Sequence, residues 1–216
     1  MAFGVIKASS GEGKTEKCPA GNHLAVCVGV FDMGHQLNDG PMGNGKWQHR
    51  AYFLYELVDE KMTGMRDANH VIGIDLTLSL HEKAKLRLWI EARTGKKLPD
   101  DAELDPTSEL GTVSMLNVVL NKGGYPQISG MAAAPKRLAE GAKASYPLTA
   151  ITLEEFQAGT SIPDYCPWLY GSPLADHIRA SREIGEAKPR AKKADKPAGG
   201  TQYDPNATTA GGEIPF

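Results

Sequence analysis

Cysteine is scarce in this chain: three among 216 residues, Cys18, Cys27 and Cys166, with no Cys-x-x-Cys pair and no histidine at zinc-ligand spacing. That excludes a disulfide framework and a zinc ribbon, and reads as reduced thiols in a cytoplasmic protein. No stretch approaches the run of about 18 apolar residues that a membrane helix needs, and residues 1–7 lack the apolar centre of a secretion signal. An excess of charge is missing too. With 24 basic against 26 acidic side chains the formal charge is −2, so an anionic partner must be met by local clusters and not by a global field. The HExxH and GxSxG patterns of hydrolases are absent, and the six histidines are scattered. The acidic run Asp100, Asp101, Glu103 and Asp105 lacks calcium-loop spacing. No catalytic residue, metal or cofactor is expected.

What is present is a turn-rich chain, with 24 glycines and 14 prolines, whose hydrophobic pattern has the period of strands. Residues 22–31 alternate, with Leu24, Val26, Val28 and Val30 on one face. After a Gly- and Asn-rich loop, residues 46–58 place Ala51, Phe53, Tyr55 and Leu57 inward and Gln48, Arg50, Tyr52 and Glu56 outward. Residues 70–80 place Ile72, Ile74, Leu76, Leu78 and Leu80 inward. Ser79 and Glu82 have capping-box spacing and predict a helix starting there, with Ala84, Leu88 and Ala92 along one stripe, Trp89 beside it, and a stop at Gly95. Residues 112–121 and 125–132 form a hairpin closed by Lys122, Gly123 and Gly124.

Strand, strand, strand, helix, strand, strand is the element order of a five-stranded OB-type Greek-key barrel with a helix between strands three and four. The expected organisation is a flexible leader at 1–20, the barrel at 21–135, an extension packed on it at 136–187 with a helix within 173–184, and a disordered tail at 188–216. The tail is too poor in large apolar groups to offset its ordering entropy. Its basic stretch from Lys188 to Lys196 reads as solubilising.

Two features point to chemistry in opposite directions. Residues 8–15, ending in Gly13, Lys14 and Thr15, satisfy the looser phosphate-loop pattern and would imply a nucleotide-hydrolysing enzyme. The pattern needs a helix whose N-terminus faces the phosphates, whereas Pro19, Gly21 and a strand-like alternation come next here. The better case is single-stranded nucleic acid, which is held by cations along its phosphates and aromatic rings against its bases. Lys46, Trp47, Arg50 and Tyr52 interleave the two on the second strand; Lys122 and Tyr125 add to them at the hairpin, Lys136 and Arg137 beyond it, and Phe31 at the end of strand one.

The last four residues, Glu213, Ile214, Pro215 and Phe216, close the polar tail with an apolar tip. This ending resembles the acidic, Ile-Pro-Phe-terminated tail of bacterial and phage single-stranded-DNA-binding proteins. The resemblance implies a tip that docks on replication, repair and recombination proteins. It departs in acidity, with Glu213 alone before the tip and Asp204 distant. Residues 75–83, leading into Leu86, and Leu116, Asn117, Val118 and Val119 are similar to a group of phage proteins taken to be OB-fold single-stranded-DNA binders, a likeness covering about residues 18–135. Together they imply a non-enzymatic, sequence-tolerant binder of single-stranded DNA. An OB-type module for protein or RNA stays open on fold alone, as does a homo-oligomer.

Overall fold

The computed structural model describes residues 16–39, 43–63, 68–167 and 169–185, the side chain of Asp59 excepted. The chain is mainly β. Strands β1 (Gly21–Leu37), β2 (Trp47–Lys61) and β3 (Asn69–Thr77) are followed by helix α1 (Lys85–Thr94), a 3-10 turn at Pro106–Glu109, and strands β4 (Val113–Leu120) and β5 (Pro126–Ala133). Short pieces complete it: α2 (Lys136–Gly141), β6 (Thr149–Ile151), α3 (Leu153–Gln157) and α4 (Leu174–Arg179). The first five strands form one antiparallel path in the order β3-β2-β1-β4-β5, and β6 joins β1 in parallel. The sheet curls so that its two ends, β3 and β5, approach one another, with α1 packed against both.

The inner face follows the alternation. Ala51, Phe53, Tyr55 and Leu57 of β2 and Ile72 and Leu76 of β3 meet Leu116, Val118 and Ile128 of the hairpin in one core, which α1 closes. The helix departs from expectation at its start and in its phase. Ser79 Oγ accepts from the His81 N–H at 3.3 Å, a local turn that removes it from capping, and the helix begins at Lys85 behind Ala84 without a side-chain cap. Its buried stripe is Leu86, Trp89 and Ile90, at i, i+3 and i+4, while Leu88 is half exposed. The larger apolar groups take the core. Gly95 ends the helix in the left-handed region (φ 67°), its N–H on the Glu91 carbonyl.

The hairpin turn forms where expected. Asn121 Oδ1 accepts from the N–H groups of Gly123 and Tyr125 at 2.8 and 3.1 Å.

The outer face corrects two expectations. On β1, Val26 and Val28 lie outside with Phe31 and Met33, whereas Val30 lies inside with Ala25 and Cys27. The register against β2 slips between Cys27 and Gly29, and the extra residue reverses the phase of the strand up to Asp32, before a second slip between Asp32 and His35. On β2, Tyr52 and Glu56, expected to face solvent, are buried together with Leu54.

The segment after β5 buries them. Ile151, Leu169, Leu174 and Ile178 pack on Val26, Val28, Phe31, Tyr52 and Leu54 as a second core, so the sheet is covered on both sides. The rings of Phe31 and Tyr52 lie over strand glycines. A Cβ at Gly29 would stand 2.6 Å from the Phe31 ring and one at Gly73 2.1 Å from that of Tyr52, closer than carbon atoms approach. Helix α4 of this covering layer lies within residues 173–184.

Polar clasps fix the extension. Glu56, fully buried, accepts from the backbone N–H of Ser145 at 2.8 and 3.0 Å, from that of Tyr146 at 3.1 Å, and from Asn69 Nδ2 at 2.5 Å. Glu183 takes the ring Nδ1 and the backbone N–H of His35, while the Arg182 N–H donates to the His35 carbonyl at 2.9 Å. Residues 16–20, expected to be flexible leader, are tied down as well. Glu16 accepts from the N–H and hydroxyl of Thr63, and Cys18 is buried.

Glu56→Ala takes this acceptor from three donors, the part-buried N–H groups of Ser145 and Tyr146 and the buried Asn69 amide, where a fully buried unpaired donor costs about 1–3 kcal/mol. Urea unfolding is expected to show a loss of roughly 2–4 kcal/mol, with Glu56→Gln recovering part of it because the amide oxygen still accepts. Burial raises the pKa of Glu183, but the bonds from His35 outweigh it and leave the carboxyl below its ordinary value. The stabilisation is therefore complete above the ordinary carboxylate pKa and fades as pH falls through the lowered one. Limited proteolysis between pH 6 and pH 3 is expected to cut the extension earlier as the pH drops, and Glu183→Gln is expected to flatten that dependence.

Candidate functional site

Of the residues that the sequence offers for binding, two lie in the core. Phe31 and Tyr52 are 0% and 1% exposed, their ring centroids 6.4 Å apart. They seal the outer layer and cannot stack on a ligand. Burial drives the Tyr52 phenol far above its ordinary pKa, so it stays neutral.

The remaining ones divide between two ends of the sheet. Lys46 is exposed and Trp47 half-buried at the start of β2, where Trp47 pairs with Leu37 at the end of β1. Lys122 and Tyr125 stand on the β4–β5 turn, which comes after the pairing of Val118 with Gly21 at the beginning of β1. Strand β1 has 17 residues, roughly 55 Å of strand path at ~3.3 Å per residue, so the two groups do not share one short patch. At the turn Tyr125 is exposed, and Lys17 Nζ lies 4.3 Å from its ring centroid while donating to the Gly124 carbonyl. Lys136 and Arg137 are exposed on α2, with Lys136 3.9 Å from Glu140.

Arg50 borders a groove of about 380 Å³ formed where the ends of β2 and β3 meet the turn into α1. Asp75, Thr77, His81, Lys83 and Lys85 line it as well. Arg50 Nη2 reaches Asp75 Oδ2 at 2.6 Å, and the Tyr170 hydroxyl donates to Asp75 Oδ1 at 2.8 Å. Burial and then the charge of Asp75 raise the Tyr170 phenol to about 12, so it remains a donor. Asp75 is paired directly with Arg50, and the other cations of the groove are Lys83 and Lys85. Lys83 has only the exposed Glu82 beside it at 3.9 Å, and burial holds the Lys85 ammonium below its usual range, partly offset by Asp75. Lys85 Nζ sits 4.7 Å from the Trp89 ring centroid, so the ammonium is held over an aromatic face.

His81, Lys83, Lys85 and Tyr170 were not singled out from the sequence. The first three lie in or beside the 75–83 segment that carries the family likeness; no local pattern marks Tyr170.

Two further clusters have structural explanations. His35 and His49, cross-strand partners, stack at 5.0 Å between centroids, each on a carboxylate, Glu183 and Asp32. No group of three or more metal-ligating side chains gathers among the described residues. Ser172 Oγ lies 2.8 Å from His177 Nε2, as a nucleophile and base would, but the same nitrogen is 2.7 Å from the Leu169 carbonyl. A nitrogen that donates to a carbonyl has no lone pair for a serine proton, so this contact fastens a turn.

The three thiols are buried or half-buried and burial raises each to about 12, so they stay protonated. Gly13, Lys14 and Thr15 lie outside the described residues, as do Glu213, Ile214, Pro215 and Phe216. Residues 16–20 form no helix before β1 begins, and no described helix is long and apolar enough to cross a membrane.

Arg50→Met is expected to strand Asp75 in the groove wall and to lower the unfolding free energy by ~2–4 kcal/mol. Adding Asp75→Asn should recover part of that loss in a double-mutant cycle followed by urea denaturation. Comparison with protein-family models, curated proteins and solved structures finds no match for this chain.

Proposed function

We propose that this protein binds single-stranded DNA without sequence preference, coating exposed strands during phage or bacterial replication, recombination and repair. The observation that carries the reading is the groove beside β2 and β3, where Lys83, beside the exposed Glu82 at 3.9 Å, and Lys85, held over the Trp89 ring, present cations at its wall. A curled antiparallel sheet with the strand path β3-β2-β1-β4-β5 supports an OB-type barrel, and in that architecture the β2–β3 face and the neighbouring loops commonly hold oligonucleotides. The exposed Tyr125, with Lys17 and Lys122, supports a second contact at the far end of the sheet.

Binding in this reading is non-enzymatic and needs no cofactor. Phosphates are neutralised by lysines and bases meet aromatic rings. The tip at Ile214, Pro215 and Phe216 would carry partner proteins to the coated strand, as its likeness to the tails of single-stranded-DNA-binding proteins suggests.

The test is a titration of labelled oligo-dT into the full chain across salt. Affinity is expected to fall as salt rises, with a log–log slope of about −0.7 per neutralised phosphate. Lys83→Ala with Lys85→Ala is expected to weaken binding about tenfold at low salt and to flatten that slope by about one. A duplex of equal length should bind less tightly. A protein that ignores oligo-dT at low salt overturns the proposal.

A further inference from the structure

Tyr170 sits in a turn whose conformation it does not favour. Leu169 and Ser172 exchange backbone hydrogen bonds at 2.9 and 3.1 Å around Tyr170 and Gly171, both at positive φ (49° and 87°). Two central residues at positive φ are the pattern of a type I′ turn, which selects Gly, Asn or Asp. Among the described residues Tyr170 is the only non-glycine in that region. Strain of this kind persists only where the surroundings enforce it. Here Leu169 is buried in the outer layer, and His177 Nε2 holds its carbonyl at 2.7 Å.

A turn so firmly held displays its side chain. Tyr170 is 75% exposed, the most of any large hydrophobic residue described. Its hydroxyl is nonetheless pinned on Asp75, and the ring stands T-shaped to that of His177, centroids 6.0 Å apart. The ring is thus anchored at both ends, through backbone and hydroxyl, while most of it meets solvent. A ligand that stacks on it loses little side-chain entropy. Through Asp75 it stands at the border of the groove that Lys83 and Lys85 line.

We infer that Tyr170 is the platform on which an unpaired base stacks while the flanking phosphates lie along Lys83 and Lys85. This rests on the single-stranded-DNA reading above and adds to it the aromatic partner that Phe31 and Tyr52, both in the core, cannot supply. The extension then has two roles in one segment, covering the sheet and furnishing part of the binding surface.

The experiment compares two labelled oligonucleotides of equal length and charge, oligo-dT and an abasic strand, by fluorescence anisotropy with the full chain at low salt. The wild type is expected to prefer oligo-dT, and Tyr170→Ala to lose about tenfold of that preference, read as the ratio of the two affinities, since the base–ring contact is removed. Tyr170→Phe, which keeps the ring, is expected to stay within about threefold of the wild type. Thermal melts of both variants check that they fold. Should Tyr170→Ala keep the full preference, or the wild type bind both strands equally, the platform is lost and the single-strand reading survives. Should the wild type bind neither strand, both fall.

Discussion

The structure depends on burying a single sheet on both of its faces. A sheet wetted on one side can leave polar groups to solvent, but here the outer face carries Tyr52, Leu54 and Glu56 under a second layer. A carboxylate so placed must find its hydrogen bonds within the protein. Glu56 finds them in the backbone of Ser145 and Tyr146, at the beginning of the covering segment's path across the sheet. The buried acid therefore holds the chain at Ser145 and Tyr146, and the apolar layer of Ile151, Leu169, Leu174 and Ile178 covers the sheet beyond that point in the sequence.

Covering the sheet decides which of its rings meet solvent. On an uncovered face the rings of β1 and β2 would be exposed; here Phe31 and Tyr52 are folded onto Gly29 and Gly73 beneath the extension. The end of β2 and β3 stays open, where the cover stops and the turn into α1 supplies lysines. Asp75 joins the parts: Arg50 from the sheet and Tyr170 from the extension bind its two oxygens. Stability and surface chemistry meet at that residue, so a substitution at Arg50 changes both, whereas Lys83 and Lys85 can be changed with little effect on the fold.

Much of the inner architecture was legible because its signals are local. The period-two runs in β2 and β3, the Gly95 stop and the Asn121–Tyr125 turn arise from backbone sterics and side-chain alternation within a few residues. The phase of β1 was not, since a bulge inserts one residue without altering composition. Nor was the α1 stripe: capping-box spacing set the helix too early, and Ser79 spends its hydroxyl on the turn before it. Strand glycines beside aromatic residues, Gly29 with Phe31 and Gly73 with Tyr52, were the one available hint that those rings lie flat on the sheet.

By itself the sequence determined the mainly β character, the element order through β5 and the local charge of the segment leading into α1, because each rests on near neighbours. Only the tertiary structure decided which aromatic rings meet solvent. Exposure at Tyr52 or Tyr170 depends on contacts between residues about a hundred positions apart, such as Asp75 with Tyr170. A pattern of alternation reports which side of a strand a ring takes, and cannot report whether another part of the chain will cover that side.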